Sequence, residues 1–241
     1  MRALAWLLVT LVAGGAAVWL GLWQLDRAAQ KASLQALMQA RAAAPELGNA
    51  GFSAACCAAP AALHYRTVRL RGRWVAGQDV WLENRQMNGR PGFVLITPLA
   101  VDSRADAVVV QRGWAARDND DRTRLPRVPT PTGAVEVAGL IAPPPARLYE
   151  FAPSASGAIR QNLDLPAYAA QTGRALLPMS ILQRDVPGSP ADGLQRQWPA
   201  PTVDVQKHYG YAFQWFALGT LMTGLYVWFQ LLRPRLGRRA R

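Results

Sequence analysis

The sequence predicts a membrane protein of α+β class, with two transmembrane helices flanking a periplasmic β-rich domain that is a small barrel or sandwich with one short helix. Three observations predict it. The 241-residue chain is strongly apolar near both ends and mixed between them. The middle holds short runs of alternating apolar and polar residues separated by turn residues, the period of half-buried strands. Clustered arginines follow the second apolar end, and Arg2 precedes the first.

Residues 3–23, ALAWLLVTLVAGGAAVWLGLW, are 21 positions without a charge; at ~1.5 Å per residue they reach across a ~30 Å hydrocarbon layer. The run exceeds the ~7–15 apolar residues of a cleaved signal peptide, and no convincing A-x-A site follows, so an uncleaved anchor is expected. The second span reads YAFQWFALGTLMTGLYVWFQLL over residues 211–232. With an interfacial start at Lys207 it is placed at 207–232. Cytoplasmic flanks collect Lys and Arg. Arg2 in the 1–2 terminus and Arg233, Arg235, Arg238, Arg239 and Arg241 in the 233–241 tail therefore place both termini in the cytoplasm and residues of about 24–210 outside.

The net charge of +12 divides between these regions. Residues 24–210 hold 21 Lys and Arg with all 15 Asp and Glu, and the other half of the net charge sits at the termini. A basic flank is attracted to anionic lipid by roughly 1 kcal/mol per residue. The external charge is spread rather than striped, so membrane lipid is an expected partner and nucleic acid is not.

Residues 24–44 are rich in helix formers, with Leu34, Leu37, Met38 and Arg41 at helical spacing, and read as a helical extension of the first span. Residues 45–63 are Ala, Gly and Pro rich without a period and read as a loop. The β-rich domain is placed at 64–206, with strands over 65–74, 79–85, 92–101, 107–114, 134–141 and 177–184. The segment LPAYAAQTG, 165–173, is its helix.

Cys56 and Cys57 are adjacent, and neighbouring cysteines rarely bridge each other because the required geometry is strained across one trans peptide. Free thiols or an intermolecular bond remain, and a soft-metal site for copper is a further reading that two thiols alone do not establish.

The catalytic inventory is thin: there is no phosphate-binding glycine loop, no GxSxG, no HExxH and no CxxC. His64 reads as a surface or turn histidine. Asp118, Asp120 and Asp121 lack the Ca²⁺-loop pattern and read as a solvated loop. The expectation is a binding protein, not an enzyme.

The remaining candidate surface is the membrane interface. His208, Tyr211, Ala212, Trp215, Gly219, Met222 and Tyr226 fall on one helical face, and Ala13, Ala17 and Gly21 form a small-xxx-small stripe suited to close helix approach. Trp19, Trp23, Tyr209, Tyr211 and Trp215 then share the outer interface. One reading is an aromatic belt at headgroup depth. The other is a flat apolar ligand held among rings, with a neutral His208 nitrogen on its metal.

Four islands in order resemble the Surfeit locus protein 1 family, the cytochrome c oxidase assembly proteins. They are GLWQLDR (21–27), GRPGFVLITPL (89–99), VVVQRGW (108–114) and HYGYAFQWFALG (208–219). The resemblance implies an inner-membrane protein that assists assembly of haem-copper oxidase. It also implies transient binding of haem a, with His208 as axial ligand and Trp23, Gln24, Arg27, Tyr211 and Trp215 around it. The implied partners are the oxidase large subunit and haem a synthase. Gly21, Arg112, Gly113 and Trp114 carry the remaining motif positions, and Lys207 stands where many members have Asn.

Each matched residue also has a structural reading. Trp23 and Gln24 can fix the first helix at headgroup depth, and Arg27 can meet a propionate or a lipid phosphate. Arg112 can reach solvent or a carboxylate, and Gly113 suits a bulge or a close backbone approach. A haem-independent scaffold for the oxidase subunit and a membrane-anchored periplasmic enzyme are the rival functions.

Overall fold

The computed structural model describes residues 2–102, 104–118, 120–121, 124–150, 157–188, 191–199 and 204–239. Arg241 and the side chains of Arg2, Arg238 and Arg239, used above for orientation, lie outside the described residues. The chain forms two compact units, residues 1–37 with 201–241, and residues 38–200.

The first unit is helical. Helix α1, Arg2–Ala43, runs unbroken from the first apolar segment through the predicted extension. It has no proline and few β-branched residues beyond the apolar run, so nothing interrupts its backbone ladder. The second apolar segment begins as an α-helix over Val205–Tyr226, widens to π-helical turns over Val227–Leu232, and returns to α-helix over Arg233–Arg239. The predicted basic tail is therefore helical at its start. Leu4–Ala43 and Val205–Leu236 are long and apolar enough to cross a membrane.

The second unit carries a mixed seven-stranded sheet. Its strands are β1 Thr67–Trp74, β2 Val80–Met87, β3 Arg90–Val101, β4 Ala107–Ala116, β5 Ala134–Ala142, β6 Ile159–Arg160 and β7 Leu176–Gln183. The sheet order is β1-β5-β7-β4-β3-β2-β6, and β1 also pairs with β3. The long β3 makes this possible: Arg90–Ile96 pair with β2, whereas Leu99–Val101 pair with β1. Gly72 lies at the junction, opposite both Val101 and Val135, where a Cβ would collide with the Ala100 carbonyl.

Two parallel pairings, β2–β6 and β4–β7, depart from a simple meander. The second is reached through the short helix α4, Leu165–Thr172, which Asp164 caps by accepting from the Ala167 amide at 2.9 Å, and which ends on Gly173 at φ 65°. Helix and strand bounds here follow the sequence reading closely; the two-residue β6 was not anticipated, since so short a run carries no period.

Both faces of β3 and β4 are covered, which explains their nearly continuous apolar sequence. One face packs Leu70, Leu99, Val108, Val110, Val137 and Ile181 together. The opposite face packs Val94, Ile96, Val109 and Trp114 against Leu163 and Tyr168.

Residues 45–63 are not a loop. They form two short helices, α2 Asn49–Ala55 and α3 Pro60–Leu63, which insert Phe52, Cys56 and Leu63 into the first of these clusters. Alanine is the best helix former, and proline is tolerated in a helix's first turn. With so few bulky residues, the segment shows no hydrophobic period even though it covers the core.

Candidate functional site

The two apolar helices pack antiparallel along small residues. Ala17 and Gly21 on α1 and Ala212 and Gly219 on the Val205–Tyr226 helix, here α5, are buried. A Cβ added at Gly219 would lie 3.4 Å from the Ala17 Cβ, and one at Gly21 would lie 2.5 Å from the Phe216 ring. Gly21 is thus the notch that admits Phe216. Ala13, the third member of the stripe, is half-buried.

This close approach carries Gln24 to His208. The Nδ1 of His208 and Oε1 of Gln24 are 2.7 Å apart. A carboxamide oxygen only accepts, so Nδ1 is the donor, and in the neutral imidazole the lone pair is on Nε2. Nε2 has no hydrogen-bond partner among the described residues and is not among the buried orphaned atoms. A partner on one ring nitrogen that leaves the other free is the arrangement by which proteins orient a metal-ligating histidine. Gln24 therefore engages the imidazole itself, a contact that neither the headgroup-anchor reading nor the resemblance specified.

The surrounding residues divide. Trp215 is half-buried on the His208 face, whereas Tyr211 is 50% and Trp23 41% exposed. Arg27 lies over Trp23 with its guanidinium 5.6 Å from the ring centroid, and it donates to Gln30 Oε1 at 3.1 Å. Lys207 turns to Asp204, with Nζ 2.9 Å from the carboxylate. That ammonium holds the Asp204 carboxyl below its usual range. Asp204 also caps α5 by accepting from the Lys207 amide. Phe216 is the member of this site that sequence reasoning missed; the small-residue stripe was the signal, since a notch implies a bulky residue opposite.

The β-domain motif residues are structural. In β4 the register slips between Leu95 opposite Gly113 and Ile96 opposite Gln111, leaving Arg112 as the bulged residue. Gly113 is packed so closely that a Cβ would lie 2.6 Å from that of Leu194. Among the described residues, Arg112 pairs with no carboxylate, and it does not reach solvent. It is 3% exposed, donates to Thr130 Oγ1 and to the Pro129 carbonyl at 2.7 Å each, and lies 4.9 Å over the Trp74 ring. It lies on the buried face of Val108 and Val110, where the Trp74 ring and two oxygens replace water around the guanidinium. Trp114 is buried and donates through Nε1 to the Arg85 carbonyl at 2.8 Å.

The other candidates have local roles. His64 is half-buried at the end of α3, with Nε2 buried and unpartnered, and burial ahead of the nearby Arg41 charge lowers its pKa. Asp118 accepts from the Asp120 and Asp121 amides and from Arg124. No cluster of three or more His, Cys, Asp or Glu suited to a metal occurs among the described residues. Cys56 and Cys57 are both free thiols.

The SURF1 family model matches residues 11–220, a stretch that includes both ends of the Gln24–His208 contact and all of the sheet. The chain belongs to the SURF1 family. It is 29% identical over 46% of its length to a SURF1-like protein of Rickettsia felis, and 24% identical over 73% of its length to one of Drosophila melanogaster. It is also 29% identical over 34% of its length to the cytochrome oxidase assembly protein SHY1 of Saccharomyces cerevisiae. The matches span 47%, 62% and 22% of those relatives' lengths. As a SURF1 family member the chain has its two long apolar helices at the ends of the matched region and its sheet between them.

Proposed function

We propose that this protein is a membrane-anchored assembly factor for haem-copper cytochrome oxidase, which helps haem a reach the large catalytic subunit by holding it transiently through His208. Family membership supports the assembly role, because one relative is itself named a cytochrome oxidase assembly protein. The observation that carries the haem role is the Gln24–His208 hydrogen bond, which leaves Nε2 free to ligate. Haem a, if bound, would be held by His208 Nε2 and would supply an iron for that nitrogen to ligate.

The residues present fit such a group. His208 offers Nε2, Trp215, Tyr211 and Trp23 offer aromatic surface, and Arg27 offers a cation for a propionate. Holding by one histidine alone would suit a protein that must release its cargo. In this account the protein works by binding, not by catalysis. Both termini lie in the cytoplasm, the β domain lies in the periplasm, and haem is held at the outer face of the inner membrane. The circuit of pairings from β1 through β5, β7, β4 and β3 back to β1 supports a small barrel as the domain's form. The domain docks on the oxidase large subunit, and haem a synthase is the expected donor.

A haem-independent scaffold is the second reading, favoured by the exposure of Tyr211 and Trp23, which suits protein or lipid contact. Deletion of the gene, followed by complementation with wild type or His208→Ala, separates the two. Under the haem reading the reduced-minus-oxidised a-type signal and oxidase activity fall on deletion and return only with wild type. Full restoration by the variant would establish the scaffold.

A further inference from the structure

The α2–α3 segment carries a group of side chains that the assembly reading does not use. Cys56 is buried, Cys57 is exposed, and their sulfurs lie 3.7 Å apart. The ~2.05 Å of a disulfide is far shorter, and the ring it would close spans a single trans peptide. The pair is therefore held as two converging thiols. Arg104 donates through Nη2 to the Cys57 sulfur at 3.1 Å and through Nη1 to the Ser53 carbonyl at 3.0 Å. Asp106 grips the same guanidinium from its other side, at 2.5 Å and 2.7 Å. A guanidinium anchored by Asp106 and by the Ser53 carbonyl is thus held against the Cys57 sulfur.

We propose that Cys56 and Cys57 form a two-coordinate site for monovalent copper, with Arg104 donating a hydrogen bond to the Cys57 sulfur. Thiolates are soft donors that select Cu(I), and a two-coordinate ion needs no further ligand. Zinc requires four ligands, and the nearest carboxylate, Asp106, is engaged by Arg104. Two thiols give up two protons, which pass to solvent, and the resulting Cu(I) bis-thiolate carries one net negative charge. The Arg104 guanidinium hydrogen-bonds the Cys57 sulfur where that anion forms, and Asp106 holds it in place. Copper arrives at the exposed Cys57, and the buried Cys56 closes the pair from the core side.

The test is anaerobic titration of the reduced full chain in detergent with Cu(I), against a chromophoric Cu(I) chelator, with protein thiols counted before and after. The expected result is one Cu(I) per chain, with capture lost in both Cys56→Ser and Cys57→Ser, and about tenfold weaker in Arg104→Gln, which removes a hydrogen bond to a charged group. Cys57→Ser alters an exposed side chain, so its loss of copper cannot be attributed to misfolding. Failure of the wild type to compete with the chelator would overturn the proposal. So would capture retained in the double serine variant, or one copper shared between two chains.

Discussion

The His208 imidazole donates through Nδ1 to the Gln24 carboxamide oxygen over 2.7 Å, joining residues 184 positions apart on two antiparallel helices. The bond selects the tautomer with Nε2 free, the form able to bind a metal. Gln24→Leu removes the acceptor and is expected to weaken haem retention roughly ten- to hundredfold, as for other supporting partners of metal ligands. Gln24→Glu keeps an acceptor and should retain pigment. Haem content per chain after purification reads both variants, and equal content in the leucine variant would show that the contact has no part in binding.

The helix approach that makes this bond possible depends on Gly21. Gly21→Val places a branched side chain where a Cβ alone is 2.5 Å from the Phe216 ring. Overpacking of this kind costs about 1–3 kcal/mol, so the thermal transition of the full chain in detergent should fall. Phe216→Ala in the same chain should recover part of the loss. If the two changes simply add, the contact is not the cause.

Arg112 is held by a fork of two hydrogen bonds and by the Trp74 ring. Arg112→Lys retains the charge but not the planar fork, and leaves at least one buried acceptor unpaired, at about 1–3 kcal/mol. Arg71→Lys, at an exposed ion pair with Asp102, should change stability by less than about 0.5 kcal/mol. Chemical denaturation of the two variants compares them directly.

His64 gives the β domain a defined pH response. Its folded pKa is lowered from the ordinary imidazole value by burial and then by Arg41. The unfolded chain therefore takes up the proton first as pH falls. Stability is fully present above about 6.5, the ordinary imidazole value, and is lost progressively as pH drops from there through the lower folded value. Denaturation midpoints measured from pH 8 to pH 5 should show this decline, and His64→Gln should flatten it.

Much of the fold was legible because its signals are local. The run VVVQRGW declares β4 through its β-branched residues, and Gly113 declares a bulge because little else suits a strand at that point. Arg112 was misread because β4 is covered on both faces, so a charged side chain there has no solvent side to reach and lies over Trp74 instead. The α2–α3 segment was misread because its contribution rests on Phe52, Cys56 and Leu63, too few to set a period among alanines. At the candidate site both partners were visible within motifs, but their meeting was not. It depends on helix packing at Gly21 and Phe216, which belongs to the tertiary structure.

The most direct test of the central claim is the visible spectrum of the full-length protein purified from cells that make haem a, compared with His208→Ala. The account predicts an a-type absorption in the wild type that is absent from the variant, while both still co-purify with the oxidase large subunit. An undiminished a-type absorption in His208→Ala would contradict it.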